Sequence, residues 1–369
     1  GLIKTAGNDE PRFDHDPDTL ESLGLLIEEP RTNQFQYSTD FSQGYWTKTR
    51  TSITSNTTTA PDGTTTASTL TVTTGSNFAY MPRSIGTTNG TTYSLSYWVK
   101  YNNCQYVWLL GGEVPDIFAY FDLINGVVGA ANGYTCSITP YPNGWYRITA
   151  ARTKTGATAT EEIAIGITRS SSSPTDNQVG DAVYVWGAQF ETGSFPTSYI
   201  PTSGLEATRS VDQAYILGDD VPLGSGVSEY SIYVRGRLLA TNNYAGISRG
   251  LVGMGSSSSN RIRIPHNNAG SVEVYSGGSI QAQLFTSDIG TTERKIALAV
   301  KKNDFAMSMD GGTVQTDTSG DIPLSINTIG FGQSSYDAPP VTYPSTSYIK
   351  EFRIYPKRLT NAQLQLLTS

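Results

Sequence analysis

The chain has 369 residues, of which 15% are charged, and its 32 acidic against 25 basic side chains leave a net charge of −7. A coiled coil would be richer in Ala, Glu, Lys and Leu, a disordered chain poorer in aromatics, and a nucleic-acid binder more basic. With 37 Gly, 22 Tyr and no apolar run of the roughly 18 residues a membrane span needs, what remains is a polar all-β protein long enough for two domains.

The chain opens on Gly1 with nothing that reads as a signal peptide, so a processed product or a piece of something longer is expected. Residues 1–35 show little periodicity. Asp14-His15-Asp16-Pro17-Asp18 reads as a turn, its Asp and Pro at turn positions. Leu23-Gly24-Leu25-Leu26-Ile27 is an apolar run too short for a helix; it reads as part of an extended arm that must be buried on its own body or on a neighbour.

From 36 to 204, short alternating runs succeed one another. In Thr92–Lys100, Tyr93, Leu95, Tyr97 and Val99 fall on one face and Ser94, Ser96, Trp98 and Lys100 on the other, the period of a strand. Asn125-Gly126 between apolar runs predicts a hairpin. Ile163, Ile165 and Ile167 alternate, and Val183, Val185 and Gly187 oppose Tyr184, Trp186 and Ala188. Such spacing, without amphipathic helices, predicts an antiparallel β-sandwich. Cys104 and Cys136 are too few for a disulfide scaffold; they would pair only if facing strands bring them together, and two free, partly buried thiols are the favoured expectation.

The Pro- and Gly-punctuated stretch 195–210 marks a boundary, after which Trp and Cys no longer occur. The expected organisation is an arm over 1–35, a first sandwich over 36–204 and a second over 205–369. In the second half Tyr230, Ile232 and Val234 alternate, Ile262/Ile264 and Val272/Val274 flank a polar loop, and Asp310-Gly311-Gly312 cues another hairpin. One helix is predicted at Asn361–Leu367, capped by Thr360 with Gln363 completing the box and Leu359 stapled to Leu364.

Several phrases resemble a known group. LESLGLLIEEPRTN at 20–33, YSTDFSQGYWTK at 37–48, Ala60-Pro61-Asp62-Gly63, NGWYRIT at 143–149, WGAQFE at 186–191 and SYIPTSG at 198–204 are similar to segments of bacteriophage tail and virion fibre proteins. The resemblance implies a carbohydrate-binding-module-like jelly roll. VKKNDFAMSMDGG at 300–312 and IKEFRIYPKRLTNAQLQLL at 349–367 resemble a laminin-G or concanavalin-like sandwich. The fibre resemblance also implies a virion component, assembled as a homo-oligomer (a trimer in similar fibres), with other virion subunits and a host-surface glycan as partners. The alternatives are a structural or decorating virion protein without glycan binding, or the binding module of a polysaccharide-degrading enzyme; neither nucleic acid nor membrane insertion is expected.

Chemistry is sparse. His15 and His266 fall in different domains, which leaves no Ser-His-Asp set. Glu113, Asp116 and Asp122 are the carboxylates a glycosidase could use, yet strand-end solvation accounts for them, and a non-enzyme is expected. No cofactor is required. Calcium is the one ion with candidates, Asp219 and Asp220, whose plain reading is a solvated loop, and no other metal site is expected. Sugar recognition needs aromatic faces beside amides, carboxylates and guanidiniums. Trp98 leads the candidates, being either solvent-facing or covered by another layer, with Tyr101, Asn102 and Asn103 at its strand end. In the second half the candidates are Asn242 and Tyr244 in one loop and Arg261, His266 and Asn267 around another. Trp108, Trp145 and Trp186, in stronger apolar runs, are expected as core anchors.

Overall fold

Period-two patterning sets one face of each strand against a partner sheet, and it does so twice. The computed structural model describes residues 2–112, 118–239, 250–266 (the backbone alone at 266), 271–285, 290–333 and 345–369. They form two units: residues 2–5, 17–20 and 31–209 make the first, and the described residues of 6–16, 21–30 and 210–369 make the second.

In the first unit, a five-stranded sheet runs in the order Val127–Ala131, Ala119–Asp122, Tyr106–Gly111, Ala159–Thr168, Tyr80–Thr87. A six-stranded sheet runs Thr135–Tyr141, Trp145–Thr153, Thr92–Tyr101, Ala182–Thr192, Ala67–Val72, Thr51–Thr58. Neighbouring strands are antiparallel. Tyr93, Leu95, Tyr97 and Val99 turn inward as their alternation predicts, meeting Val107, Leu109, Ile163, Ile165 and Ile167 of the facing sheet. Gly126, at φ +64°, makes the predicted hairpin turn.

The alternation of Ala182–Thr192 breaks where the sequence reads as regular. Gly187 adopts φ +64°, and the register shifts between Trp186 and Gln189. The extra residue inverts the facing of the rest of the strand, so Ala188 and Phe190 join the core instead of the outer face. A Cβ at Gly187 would lie 2.6 Å from the Trp98 ring, which makes this position a glycine's for two reasons.

The second unit stacks a seven-stranded sheet (Phe13–His15, Ser22–Ile27, Ser347–Tyr355, Glu229–Leu238, Arg294–Lys301, Phe305–Met309, Gln315–Asp317) on a six-stranded one. The latter runs Tyr215–Leu217, Thr328–Phe331, Val252–Ser257, Asn260–His266, Ser271–Ser276, Ser279–Phe285. Ile232, Val234, Ile296 and Leu298 of one sheet pack with Val252, Met254, Ile262 and Val274 of the other. The apolar run near the N-terminus is therefore a strand of this second sandwich: Leu25, Leu26 and Ile27 pair with Ile349, Tyr348 and Ser347. Ile27 is 1% exposed. Behind it Arg12 bridges Glu28 (2.7 Å) and Asp212, whose carboxylate also accepts from the Glu28 backbone N–H. Arg31–Asn33 pairs instead with Ala207–Arg209 inside the first unit.

The helix spans Asn361–Thr368, and its reciprocal Thr360–Gln363 capping box forms as predicted. Leu359 and Leu364 are buried in one cluster. Both cysteines are free, and burial pushes each thiol pKa up to about 11, so they stay protonated at neutral pH.

Candidate glycan-binding face

Two neighbouring strands of the second sandwich carry the pattern that matters. In Asn260–His266, Ile262 and Ile264 are buried in the core, which sends Arg261 and Arg263 to the opposite face. In Ser271–Ser276, Val272 and Val274 are buried, which sends Glu273 and Tyr275 to that same face. Register sets Arg261 opposite Tyr275, Arg263 opposite Glu273, and Glu273 opposite Gln283 of the next strand.

The side chains interlock. The Arg261 guanidinium lies 4.2 Å from the centre of the Tyr275 ring and that of Arg263 lies 5.3 Å from it. Glu273, itself 4% exposed, accepts from Arg263 (3.3 Å), the Tyr275 hydroxyl (3.3 Å) and the Gln283 amide (3.0 Å). Burial, and then the like charge of Arg261, hold the Arg263 guanidinium below its ordinary pKa. Arg261 makes no ion pair or hydrogen bond with any described residue, and its Nε is buried without a partner.

On the other side of the arginines the face loses its side chains. Gly253 and Gly255 stand opposite Arg263 and Arg261, and Gly330 stands opposite Gly253. The amide of Gln333 occupies the space a Gly330 side chain would need, its Nε2 1.3 Å from the ideal Cβ position. Gln333 is 5% exposed, and neither its amide oxygen nor its nitrogen has a hydrogen-bond partner among the described residues. An unsatisfied buried polar group costs about 1–3 kcal/mol, so this amide is a poor choice for mere filler.

Of the candidates expected from sequence, Arg261 belongs to this face. His266 ends the same strand, paired with Ser271. Asn242, Tyr244 and Asn267 lie outside the described residues, as do Glu113 and Asp116. Trp98 is corrected: it is 1% exposed, covered by a second layer. Trp186, Tyr199 and Tyr141 surround it with ring centres 5.4, 5.5 and 5.9 Å away, and the Arg147 guanidinium lies 4.4 Å above it. Trp145 and Trp186 belong to this same outer layer and not to the core between the sheets, their indole N–H groups tying down Thr59 (3.1 Å) and Thr66 (3.0 Å). Trp108 is likewise buried outside that core, with Phe118 and Tyr120. Tyr101, 41% exposed, is on the opposite parity to Trp98, and Asn102 is half-buried in the bend after it. Asn103 uses its amide to hold Gly180 and Ala182, so these residues do not converge with Trp98.

Asp219 and Asp220 sit exposed on a single 3₁₀ turn, and no cluster of three or more metal-ligating side chains occurs among the described residues. Asp122 is a turn hub, accepting from Gln105, Asn125 and the Ile124 and Asn125 N–H groups. Burial works against its charge, but the donated bonds prevail and its pKa lies below the ordinary value.

Glu273, Tyr275, Gln283 and Gln333 belong to no motif that stands out in the sequence. The alternations Arg-Ile-Arg-Ile and Val-Glu-Val-Tyr nonetheless hold a usable signal, since two core-facing pairs imply two outward polar pairs.

No family model matches the chain, and no match is found among curated proteins. Solved structures similar to it include the IT-sialidase CBM40 of Ruminococcus gnavus, at 14% identity over 42% of this chain and 98% of that one (TM-score 0.30). The mouse laminin alpha1 chain domains LG4-5 align at 9% identity over 96% and 97% (TM-score 0.28). A heptameric SAP-like pentraxin from Limulus polyphemus aligns at 12% over 43% and 82% (TM-score 0.31). Likenesses this loose assign no function.

Proposed function

We propose that the chain is a non-enzymatic recognition protein that binds glycans through the outer face of the six-stranded sheet of its second sandwich. The observation that carries this reading is the convergence of Arg261, Arg263, Glu273, Tyr275 and Gln283 on one surface. A sugar offers C–H faces to a ring and hydroxyls to amides and guanidiniums; Tyr275, Gln283 and Arg261 supply these contacts, while the buried Glu273 holds Tyr275 and Gln283 in place. A glycan array probed with the purified full chain tests the reading. Tyr275→Ala is expected to weaken any glycan bound by about tenfold, since ring contacts contribute up to ~1.5 kcal/mol, with an unchanged far-UV spectrum. A chain that binds no glycan, or binds equally well without Tyr275, would overturn it.

The finer reading is a phage tail fibre or comparable virion appendage, with a host-surface glycan as target and the virion as location. Its support is the set of fibre-like phrases between 20 and 204. In such an appendage several copies would raise weak contacts to useful avidity through effective concentration. Light scattering is expected to find a homo-oligomer, and a monomer at micromolar concentration would count heavily against the fibre.

A further inference from the structure

We propose that the sugar taken by this face is an acidic one, its carboxylate or sulfate ester held by Arg261. The inference rests on the glycan reading and narrows it. Two guanidiniums share the surface with one carboxylate among the described residues, and that carboxylate is already committed. Glu273 accepts from Arg263, Tyr275 and Gln283, while Arg261 stacks on Tyr275 and pairs with no described carboxylate. Arg261 is thus half-buried with its charge uncompensated among the described residues, in a chain whose net charge is −7. The excess is local and does not belong to a general basic surface.

Geometry points the same way. The Arg261 guanidinium rests 4.2 Å over the Tyr275 ring, and its planar group offers its two terminal nitrogens as a fork of donors. A fork of this kind matches two oxygens of one anion, and such charge-assisted pairs are roughly twice as strong as neutral hydrogen bonds. A neutral hydroxyl would satisfy one donor and leave the charge where it was.

The test follows the arginine Nε–H signals of the full chain in ¹H–¹⁵N correlation spectra, with the Arg261 signal identified by its loss in Arg261→Gln. D-glucuronate, glucose 6-sulfate and glucose are titrated in parallel. Movement of the Arg261 signal by either acidic sugar, at concentrations where glucose leaves it still, supports the proposal. Glucuronate alone marks a carboxylate reader, the sulfate alone a sulfate reader, and both a reader of charge. Arg261→Lys, which keeps charge and loses the fork, is expected to weaken the acidic sugar several-fold. If glucose moves the signal as far as the acids do, the acidic preference is wrong while the glycan reading stands. If no sugar moves it, the proposal for Arg261 is wrong, and the glycan array judges the wider reading separately.

Discussion

A fragment spanning 205–369, cut where composition marks the boundary, is expected to lose cooperative folding. It lacks Ser22–Ile27, which pairs with Ser347–Tyr355 inside the seven-stranded sheet. Ile27 and Leu26 are 1% and 7% exposed, and burying such side chains stabilises by about 1.5–3 kcal/mol each. The Arg12–Glu28–Asp212 bridge goes too, stranding Asp212, whose pKa burial already raises. Against a total stability of roughly 5–15 kcal/mol, these losses are large. The cut also bares an edge of Ser347–Tyr355, an invitation to aggregation. Joining residues 6–30 to 210–369 through a short Gly/Ser linker is expected to restore a sharp melt. A short linker suffices because Arg31 and Arg209 are paired neighbours in one two-stranded ribbon. Thermal unfolding followed by near-UV circular dichroism decides the matter. A 205–369 fragment that melts within a few degrees of the joined one would show that the N-terminal strand is dispensable.

Trp98→Ala is expected to be a stability mutation and not a binding one. The indole is 1% exposed between Trp186, Tyr199 and Tyr141, and truncating a buried Trp costs about 3–5 kcal/mol. Arg147 would lose the ring it covers, while its bonds to Ser96 (3.2 Å) and to the Thr197 carbonyl (2.7 Å) would remain. Denaturant titration should report the loss, and Trp98→Phe should recover part of it by keeping a ring in the layer. Glycan affinity of the folded fraction should not change. A selective loss of affinity with unchanged stability would make Trp98 a ligand contact after all.

These two expectations mark how far local pattern reaches. The inward residues of Thr92–Tyr101, the hairpin at Asn125-Gly126, the β-sandwich class and the capped helix at Asn361–Thr368 all arise from patterns a few residues long. Side-chain period, turn chemistry and capping are local, and they are written in the chain. The bulge at Gly187 was illegible because a left-handed glycine and an ordinary one look alike in sequence. Alternation also says which residues face away from a core, but not what lies over them: it gives Trp98 and Arg261 the same description, and only packing distinguishes them. Trp98 lies under a second aromatic layer, and Arg261 stands half-buried over Tyr275.

From its sequence alone, then, the protein was bound to be built of antiparallel strands, with one short capped helix at its C-terminal end. Tertiary structure decided that Ser22–Ile27 completes the sandwich formed by the far end of the chain. It also decided that Arg261 meets Tyr275 and that Gln333 reaches the glycine row. Strand pairing joins residues distant in sequence through backbone hydrogen bonds that every residue type offers, so the choice of partner is made by the burial of whole faces and leaves little local trace.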